Sequence, residues 1–340
     1  MPEASTLTVE AVRRRPAMYL GSLAHPAAAL EEVLSNAFDE YLASRARHIE
    51  VTLHADAGVT IADDGGGIPR ATIEGALRSP HDAATFDDHR PHVHLGGLRG
   101  LGLCVVAAVC SRFAIETVHA GHAHRWELAR GVPTRALVST PHAGPSGTRV
   151  RLAFDPGIFE SVALPRVWLL ERLEQLVDLS PGLRVTLRDE GHVMASPPRG
   201  ILARVSGEPR IELSGVAEDT RVHLGLAWRP SFDERREPRI ESFVNWQRTR
   251  DHGTHVSGML DGLALAEAEL KPRRPLRERL DACLLVVTRD VQWGSPTKDQ
   301  LRSPGLRPLV AEIVRRELLA HLGEHPESLD ALRERRFRGA

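Results

Sequence analysis

A chain of 340 residues is long enough for two domains, each with a core of its own. The formal net charge of −1 argues against a strongly basic nucleic-acid-binding protein, although local basic patches could still bind nucleic acid. Three cysteines without CxxC spacing argue against a disulfide scaffold and a zinc site, and no apolar run reaches the roughly 18 residues of a membrane span. We therefore expect a soluble protein of the reducing cytoplasm with no membrane partner.

The first half of the chain predicts an α+β domain of alternating helices and short strands. The predicted helices cover 27–44, 71–78, 103–111 and 165–179, and the predicted strands cover 48–53, 59–61, 113–118, 124–129, 148–154 and 183–188. The first two strands should form an antiparallel hairpin across a short turn. Proline and glycine in 195–200 indicate a linker, so we assign one domain to 1–196 and a second to 197–340.

The second half predicts a smaller α/β domain. Its predicted strands cover 210–213, 221–227, 239–246 and 284–288, and its predicted helices cover 256–270, 308–322 and 326–337. No internal repeat or low-complexity segment interrupts it.

The predicted helix 27–44 carries polar groups at helical spacing. Glu32 and Asn36 lie one turn apart on one face, and Asp39 and Glu40, which could orient either of them, follow one turn further on. By itself this pattern is typical of an amphipathic helix with a solvated acidic stripe. The strand that follows changes the interpretation, because it runs into two carboxylates and three glycines at 63–67, where backbone can approach a flat ligand closely.

A second glycine-rich stretch occupies residues 96–102 and leads directly into an apolar, buried helix. Free backbone N–H groups and the positive end of the helix dipole would make this start a phosphate-binding site. Glycine-rich turns are common, so this signal gains its meaning from its place after the strand and turn at 59–67.

Taken in order, these motifs resemble those of the GHKL ATPase superfamily, and the opening Ala11–Gly21 resembles the gyrase B and topoisomerase IV branch. The resemblance is close over 10–154 and looser over 197–340, where Phe243–Asn245, Gly253–His255 and Pro296–Leu301 resemble the transducer domain. It implies a GHKL (Bergerat) α/β sandwich with a mixed sheet, followed by a smaller α/β transducer domain.

The resemblance also implies a site for ATP and Mg²⁺. Glu32 would be the general base and Asn36 the magnesium ligand, while Asp63 would accept from the adenine amino group. The remaining implied residues line the base pocket (Gly67, Ile68 and Thr148), donate to the phosphates (Gly97, Gly100 and Gly102) or reach the γ-phosphate from the second domain (Lys298).

Several histidines allow a second interpretation. His81, His89, His92 and His94 could bind zinc, but a loop that covers the nucleotide is the interpretation we favour, and His119, His122 and His124 flank a turn. The pair His252 and His255 is expected to belong to a structural turn. Arginine-rich segments 273–279 and 332–338 suit solvated helix faces and could also contact DNA phosphates.

The chain departs from the family pattern at four places. Gly66 replaces an arginine beside the adenine, Arg99 replaces a histidine, Pro296 replaces a glutamine, and no lysine precedes the glycine loop. These changes predict slow turnover. The family's N-terminal arm is short here, which leaves ATP-driven dimerisation and the oligomeric state open, and without a strand-passage domain we expect no DNA cleavage by this chain alone.

Two hypotheses follow for the function. The first is an ATP-hydrolysing module like the ATPase and transducer part of a type IIA gyrase B-type protein, which couples nucleotide state to domain movement and works with DNA or a topoisomerase-type partner subunit. The alternative is a stand-alone regulatory or protein-interaction module that binds ATP with little hydrolysis. DNA-stimulated ATP turnover would distinguish them.

Overall fold

The computed structural model describes residues 8–78, 102–189, 191–197, 199–230, 236–294 and 298–334. The chain divides into two compact units, one formed by Met1–Val177 with Gly182–Pro198 and the other by Asp178–Pro181 with Arg199–Ala340. The proposed boundary between residues 196 and 197 stays a prediction.

Helices and strands alternate in the first unit, as the sequence predicts. The helices are α1 (Val9–Arg14), α2 (Ala17–Leu20), α3 (Ala27–Leu42), α4 (Arg70–Arg78), α5 (Gly102–Val109) and α6 (Arg166–Asp178). The strands are β1 (His48–Leu53), β2 (Val59–Asp63), β3 (Cys110–His119), β4 (His122–Ala129), β5 (Val132–Pro133), β6 (Val138–Pro141), β7 (Gly147–Phe154), β8 (Arg184–Asp189) and β9 (His192–Ser196).

The strands of this unit form one mixed sheet in the order β5-β4-β3-β7-β2-β1-β8-β9, with β6 also paired to β4. The hairpin of β1 and β2 is antiparallel, as predicted, while β1 and β8 run parallel. Strand β7 lies between β2 and β3, so the end of β2 meets Thr148 and the end of β3. This order brings the predicted base-binding residues to one edge of three neighbouring strands.

The core of the first unit lies between the sheet and the helices α3 and α5. Helix α3 buries Leu30, Leu34 and Phe38, whereas α5 is buried from Gly102 to Val109 except for one partly buried residue. The predicted end of α5 at residue 111 is wrong by two residues, because Cys110 pairs with Phe154 in the sheet. Tertiary pairing thus overrides a continuous apolar pattern.

The second unit is a five-stranded sheet covered by helices. Its strands are β10 (Ile211–Ala217), β11 (Thr220–Trp228), β12 (Arg239–Val244), β13 (Gln247–Arg248) and β14 (Leu280–Val287), in the order β10-β11-β14-β12-β13. Its helices are α7 (Thr254–Leu270), α8 (Leu306–Glu324) and α9 (Pro326–Glu334). The mixture of helices with mixed sheets in both units confirms the predicted α+β class.

Helices α7 and α8 pack closely at two glycines. A Cβ atom on Gly258 would collide with the carbonyl oxygen of Arg307, and one on Gly262 would lie 2.5 Å from that of Ala311. Neither position leaves room for a side chain, so glycine is required four residues apart on this face of α7. The two helices cover a core that includes Met259 of α7 and the apolar face of β14.

The segment that leads into α7 forms the expected structural turn. Gly253 has φ +135°, and a Cβ atom there would collide with the carbonyl oxygen of Leu301. His255 is buried, its Nε2 lies 3.0 Å from Thr249 Oγ1, and burial lowers the pKa of its ring to about 3. The ring is therefore neutral and buried at the start of α7.

Candidate functional site

Helix α3 holds Glu32 and Asn36 one turn apart. Leu30, Val33 and Phe38 are buried and seat the helix in the core, whereas Glu32 is partly buried and Asn36 is exposed. The apolar face therefore fixes which way the polar face points. The predicted pairing of a carboxylate with an amide on one side of α3 agrees with this burial pattern.

The carboxylate of Glu32 lies against the first residue of α5. A Cβ atom on Gly102 would lie 2.6 Å from Glu32 Oε2, so a side chain at this position would displace the carboxylate. The start of a helix exposes backbone N–H groups that favour anions. The structure thus places the predicted base directly beside the start of the predicted phosphate-binding helix.

Asp63 ends β2 opposite Thr148 in β7. Its Oδ1 accepts a hydrogen bond of 2.9 Å from the backbone N–H of Gly65. Burial raises the pKa of its carboxyl group to about 7, helped by the charge of Glu40 and opposed by hydrogen bonds from the backbone of Gly65 and Thr148. A carboxyl group that titrates near neutrality at the end of a strand is a candidate binding group.

The turn after Asp63 is held by hydrogen bonds from both sides. Gly66 N–H donates to Glu40 Oε2 at 2.8 Å, and Ile68 N–H donates to Thr117 Oγ1 at 2.8 Å. Gly67 has φ +70°, and a Cβ atom there would collide with the carbonyl oxygen of Val118. Only glycine fits that backbone contact, which fixes the turn against β3.

Thr117 is a residue of this site that the sequence does not reveal. Its hydroxyl group is buried, donates to the carbonyl oxygen of Gly147 at 3.1 Å and lies 3.0 Å from Thr148 Oγ1. With its bond from Ile68, it ties the turn to both neighbouring strands. A threonine in a strand of alternating burial carries no distinguishing signal, so only the register of β3 and β7 identifies it.

Glu40 contacts the turn that follows Asp63. Its carboxylate accepts a hydrogen bond from Gly66 N–H and pairs with Arg45, and its suggested role in orienting Asn36 or Glu32 stays a prediction. The two ends of α3 therefore contact different parts of the candidate site, with Glu40 beside the turn and Glu32 beside α5.

Other predicted site residues lie elsewhere. Gly97 and Gly100 lie outside the described residues, as do His81, His89, His92 and His94 of the predicted loop. Lys298 belongs to the second unit and has φ +59°, and its predicted role stays a prediction. Within the described ranges, no group of three or more His, Cys, Asp or Glu side chains could hold a metal ion.

A cavity of about 410 Å³ lies apart from these groups. It is lined by Arg70 and Glu74 of α4, by Trp126 of β4 and by residues 133–137. It includes neither Glu32 nor Asp63, so the candidate site rests on the contacts of Glu32, Asp63 and their neighbours. Among the helices that the structure describes, none combines the length and apolar character of a membrane span.

Two protein families match the two units. The family described as histidine kinase-, DNA gyrase B-, and HSP90-like ATPase matches residues 22–158. The family described as DNA gyrase B matches residues 202–338.

Curated relatives match along nearly the whole chain. The type 2 topoisomerase B protein of Aquifex aeolicus is 30% identical over 368 residues, which cover 98% of this chain and 46% of that protein. The DNA gyrase B protein of Borrelia hermsii is 28% identical, with 98% of this chain and 57% of that protein covered. The chain thus spans about half the length of the curated relatives it matches.

Solved structures share the fold of both units. The 43K ATPase domain of Thermus thermophilus gyrase B matches with a TM-score of 0.80 and 25% identity over 95% of this chain and 92% of that one. The gyrase B protein from Myxococcus xanthus matches with a TM-score of 0.78 and 26% identity over 96% of this chain and 99% of that one. These matches confirm the resemblance drawn from the sequence motifs.

Proposed function

We propose that this chain binds and hydrolyses ATP. The premise is that it belongs to the GHKL ATPase superfamily and carries the ATPase and transducer domains of gyrase B-type proteins. The observation that carries the proposal is the contact between the Glu32 carboxylate and Gly102 at the start of α5. This contact supports the proposal because it brings a carboxylate beside a helix start that suits phosphate, and phosphoryl transfer to water needs a base and phosphate donors close together.

Each group would act at one end of the nucleotide. Asp63 would accept from the purine amino group, while Gly67, Ile68 and Thr148 surround that position through the turn and β7. Gly102, with Gly97 and Gly100 by resemblance, would donate backbone N–H bonds to the phosphates. Glu32 would take a proton from the attacking water, a role that contributes about 10²–10⁴-fold in rate.

Asn36 suits magnesium by its chemistry and exposure. Its amide oxygen is a hard ligand, and the side chain is exposed on the same face of α3 as Glu32. Bound magnesium would offset the charge of the phosphates, with phosphate oxygens and waters as further ligands. Asn36 would orient the ion relative to Glu32, because the two residues are one helical turn apart.

The second unit would respond to nucleotide. Lys298 would contact the γ-phosphate and so report ATP to the transducer domain, and the natural partner would be DNA or a topoisomerase-type partner subunit. Dimerisation and a cytoplasmic location remain predictions of the sequence. The curated relatives are about twice the length of this chain, so the roles of DNA and of a partner subunit are proposed here and not carried over from them.

Steady-state ATPase assays with paired binding measurements test the proposal. Glu32→Ala should keep ATP affinity and lose at least about 100-fold in turnover, because it removes the base alone. Lys298→Ala should lower turnover as well, while Glu171→Ala on the exposed face of α6 serves as the control and should change neither quantity.

Unchanged turnover in the Glu32 variant would defeat the assignment of the base. Adding DNA to the same assay addresses the partner: stimulated turnover supports a topoisomerase-type module. ATP binding with negligible turnover at every DNA concentration would instead support the stand-alone regulatory module.

A further inference from the structure

Arg45 lies beside the candidate base pocket, although no motif includes it. Helix α3 ends at Leu42, and Ser44 follows with φ +60°, which turns the chain back so that Arg45 N–H donates to the Glu40 carbonyl oxygen at 2.8 Å. Its guanidinium then forms a two-point ion pair with the Glu40 carboxylate, with distances of 2.9 Å from Nε to Oε2 and 2.6 Å from an Nη to Oε1. Such paired contacts fix the orientation of both groups.

The side chain of Arg45 occupies the space beside Gly66. A Cβ atom on Gly66 would lie 3.1 Å from Arg45 Cδ and 3.6 Å from Arg45 Nε. Gly66 N–H donates to the same Glu40 oxygen that accepts from Arg45 Nε. The arginine, the glutamate and the turn therefore form one connected group, with the cation supplied from the end of α3.

Glu40 and Asp63 crowd the same point of this turn. A Cβ atom on Gly65 would lie 2.6 Å from Glu40 Oε2 and 2.8 Å from Asp63 Oδ1. Two carboxylates this close repel each other when both are ionised, so a Glu40 deprived of its cation would favour protonated Asp63. Arg45 supplies the positive charge bound to Glu40, and its charge also interacts with that of Asp63.

We propose that Arg45 is a positioning residue for base recognition, which pairs with Glu40 and thereby lets Asp63 ionise and accept the exocyclic amino group of a purine. The inference rests on the proposed nucleotide site. It assigns the selection of the base to three residues, Arg45, Glu40 and Asp63, and it requires Arg45 to touch neither the base nor the phosphates.

Other charged groups near Asp63 must be separated from this effect. Asp39 of α3 contributes to the field at Arg45, and the Asp64 carboxylate accepts from the backbone N–H groups of Arg47 and His48. His119 of β3 has Nδ1 2.9 Å from the Gly66 carbonyl oxygen, so it is the neighbouring ring that a control variant must address.

The test is the pH dependence of nucleotide affinity in matched variants. Affinity for a non-hydrolysable ATP analogue is measured by calorimetry from about pH 5.5 to 9 in the wild type, Arg45→Ala, Arg45→Lys and Glu40→Gln/Arg45→Ala. The wild-type affinity should fall as pH falls through about 7, where the Asp63 carboxyl group titrates. A His119→Asn variant should keep that midpoint.

Arg45→Ala should move the midpoint up by about one pH unit, so that affinity at pH 7 falls about fivefold and affinity at pH 9 changes little. Arg45→Lys should retain most of the wild-type profile, because it keeps the charge. The double variant should return towards the wild-type midpoint, because glutamine still accepts from Gly66 but carries no charge. A uniform loss of affinity at every pH in Arg45→Ala, or an unchanged profile, would overturn the inference.

A nucleotide-free measurement separates this inference from the proposed function. The carboxyl carbon of Asp63 is titrated by NMR in the same variants, with thermal unfolding as a check that each one folds. An upward shift of the Asp63 pKa in Arg45→Ala supports the positioning role even if the protein binds no nucleotide. An unchanged Asp63 pKa overturns the role even if ATP binds normally.

Discussion

Replacing Asp63 by asparagine should stabilise the nucleotide-free protein. Burial is the main cause that raises the pKa of this carboxyl group from 3.8 to about 7. Between these two values the folded state holds a proton that the unfolded state has released, so the free energy of unfolding of the wild type falls as pH rises. Above pH 7 the full cost of ionising the buried group is present.

The size of the gain follows from that shift. A shift of about three pH units corresponds to a ceiling of roughly 4 kcal/mol, and the partial exposure of Asp63 reduces the expected gain to about 2 kcal/mol at pH 8.5. For a unit of this size that is a rise in Tm of roughly 4–8 °C. Asparagine can keep the acceptor for Gly65 N–H, so the turn need not change.

Thermal and urea unfolding at pH 4.5 and 8.5 test this reasoning. The gain should be small at pH 4.5, grow up to about pH 7 and stay level above it. Asp64→Asn is the neighbouring control, because Asp64 is exposed and also accepts backbone N–H bonds, and its gain at pH 8.5 should be smaller than that of Asp63→Asn. An equal gain at both pH values, or none at pH 8.5, would refute a buried, titrating Asp63.

The same substitution should weaken ATP binding. With its oxygen retained by Gly65 N–H, the new amide group would present a donor to the purine amino group, which is also a donor. Calorimetry should therefore show lower ATP affinity in the more stable variant. A substitution that raises stability and lowers binding is typical of a functional residue that destabilises the folded protein.

Three glycine substitutions test the packing that the structure describes. Gly102→Ala should lower turnover by roughly 10–100-fold with little change in Tm, because its Cβ atom would displace the Glu32 carboxylate, and unchanged turnover would contradict that contact. Gly262→Ala should lower the free energy of unfolding by about 1–3 kcal/mol, because its Cβ atom would meet the Ala311 carbonyl oxygen. Gly323→Ala in α8 is the control, because its Cβ atom would meet nothing within 4 Å. In urea unfolding it should be neutral or stabilising by up to about 1 kcal/mol. A loss of stability like that of Gly262→Ala would show that close helix packing does not cause the effect at Gly262.

The parts of the site that can be predicted from the sequence are those that local spacing encodes. Glu32 and Asn36 share a helix face at four-residue spacing, and Asp63 precedes a run of glycines, so both patterns are visible within about ten residues. The predicted bounds of α3 are also close, with an error of two residues at its end, where Ser44 takes a positive φ. Local chemistry decides each of these features.

The parts that the sequence does not reveal depend on contacts between distant residues. Thr117 reaches Ile68 across 49 positions, and Glu40 reaches Gly66 across 26. Edge strands such as β9 are not predicted, because their short segments show no distinct alternation of apolar and polar residues. Strand order and register determine these contacts, and neither can be read from the periodicity of a single segment.

Helix α3 contacts the turn at Glu40 and the start of α5 at Glu32, and these residues are about 12 Å apart along its axis. A helix hardly changes length, so this separation acts as a molecular ruler set by the backbone. Ligands that span both ends would be distinguished from shorter ones by reach alone, before any side chain adjusts. An insertion of one residue within α3 would rotate one end by about 100° relative to the other, and so would uncouple the two halves of the site without removing any of its groups.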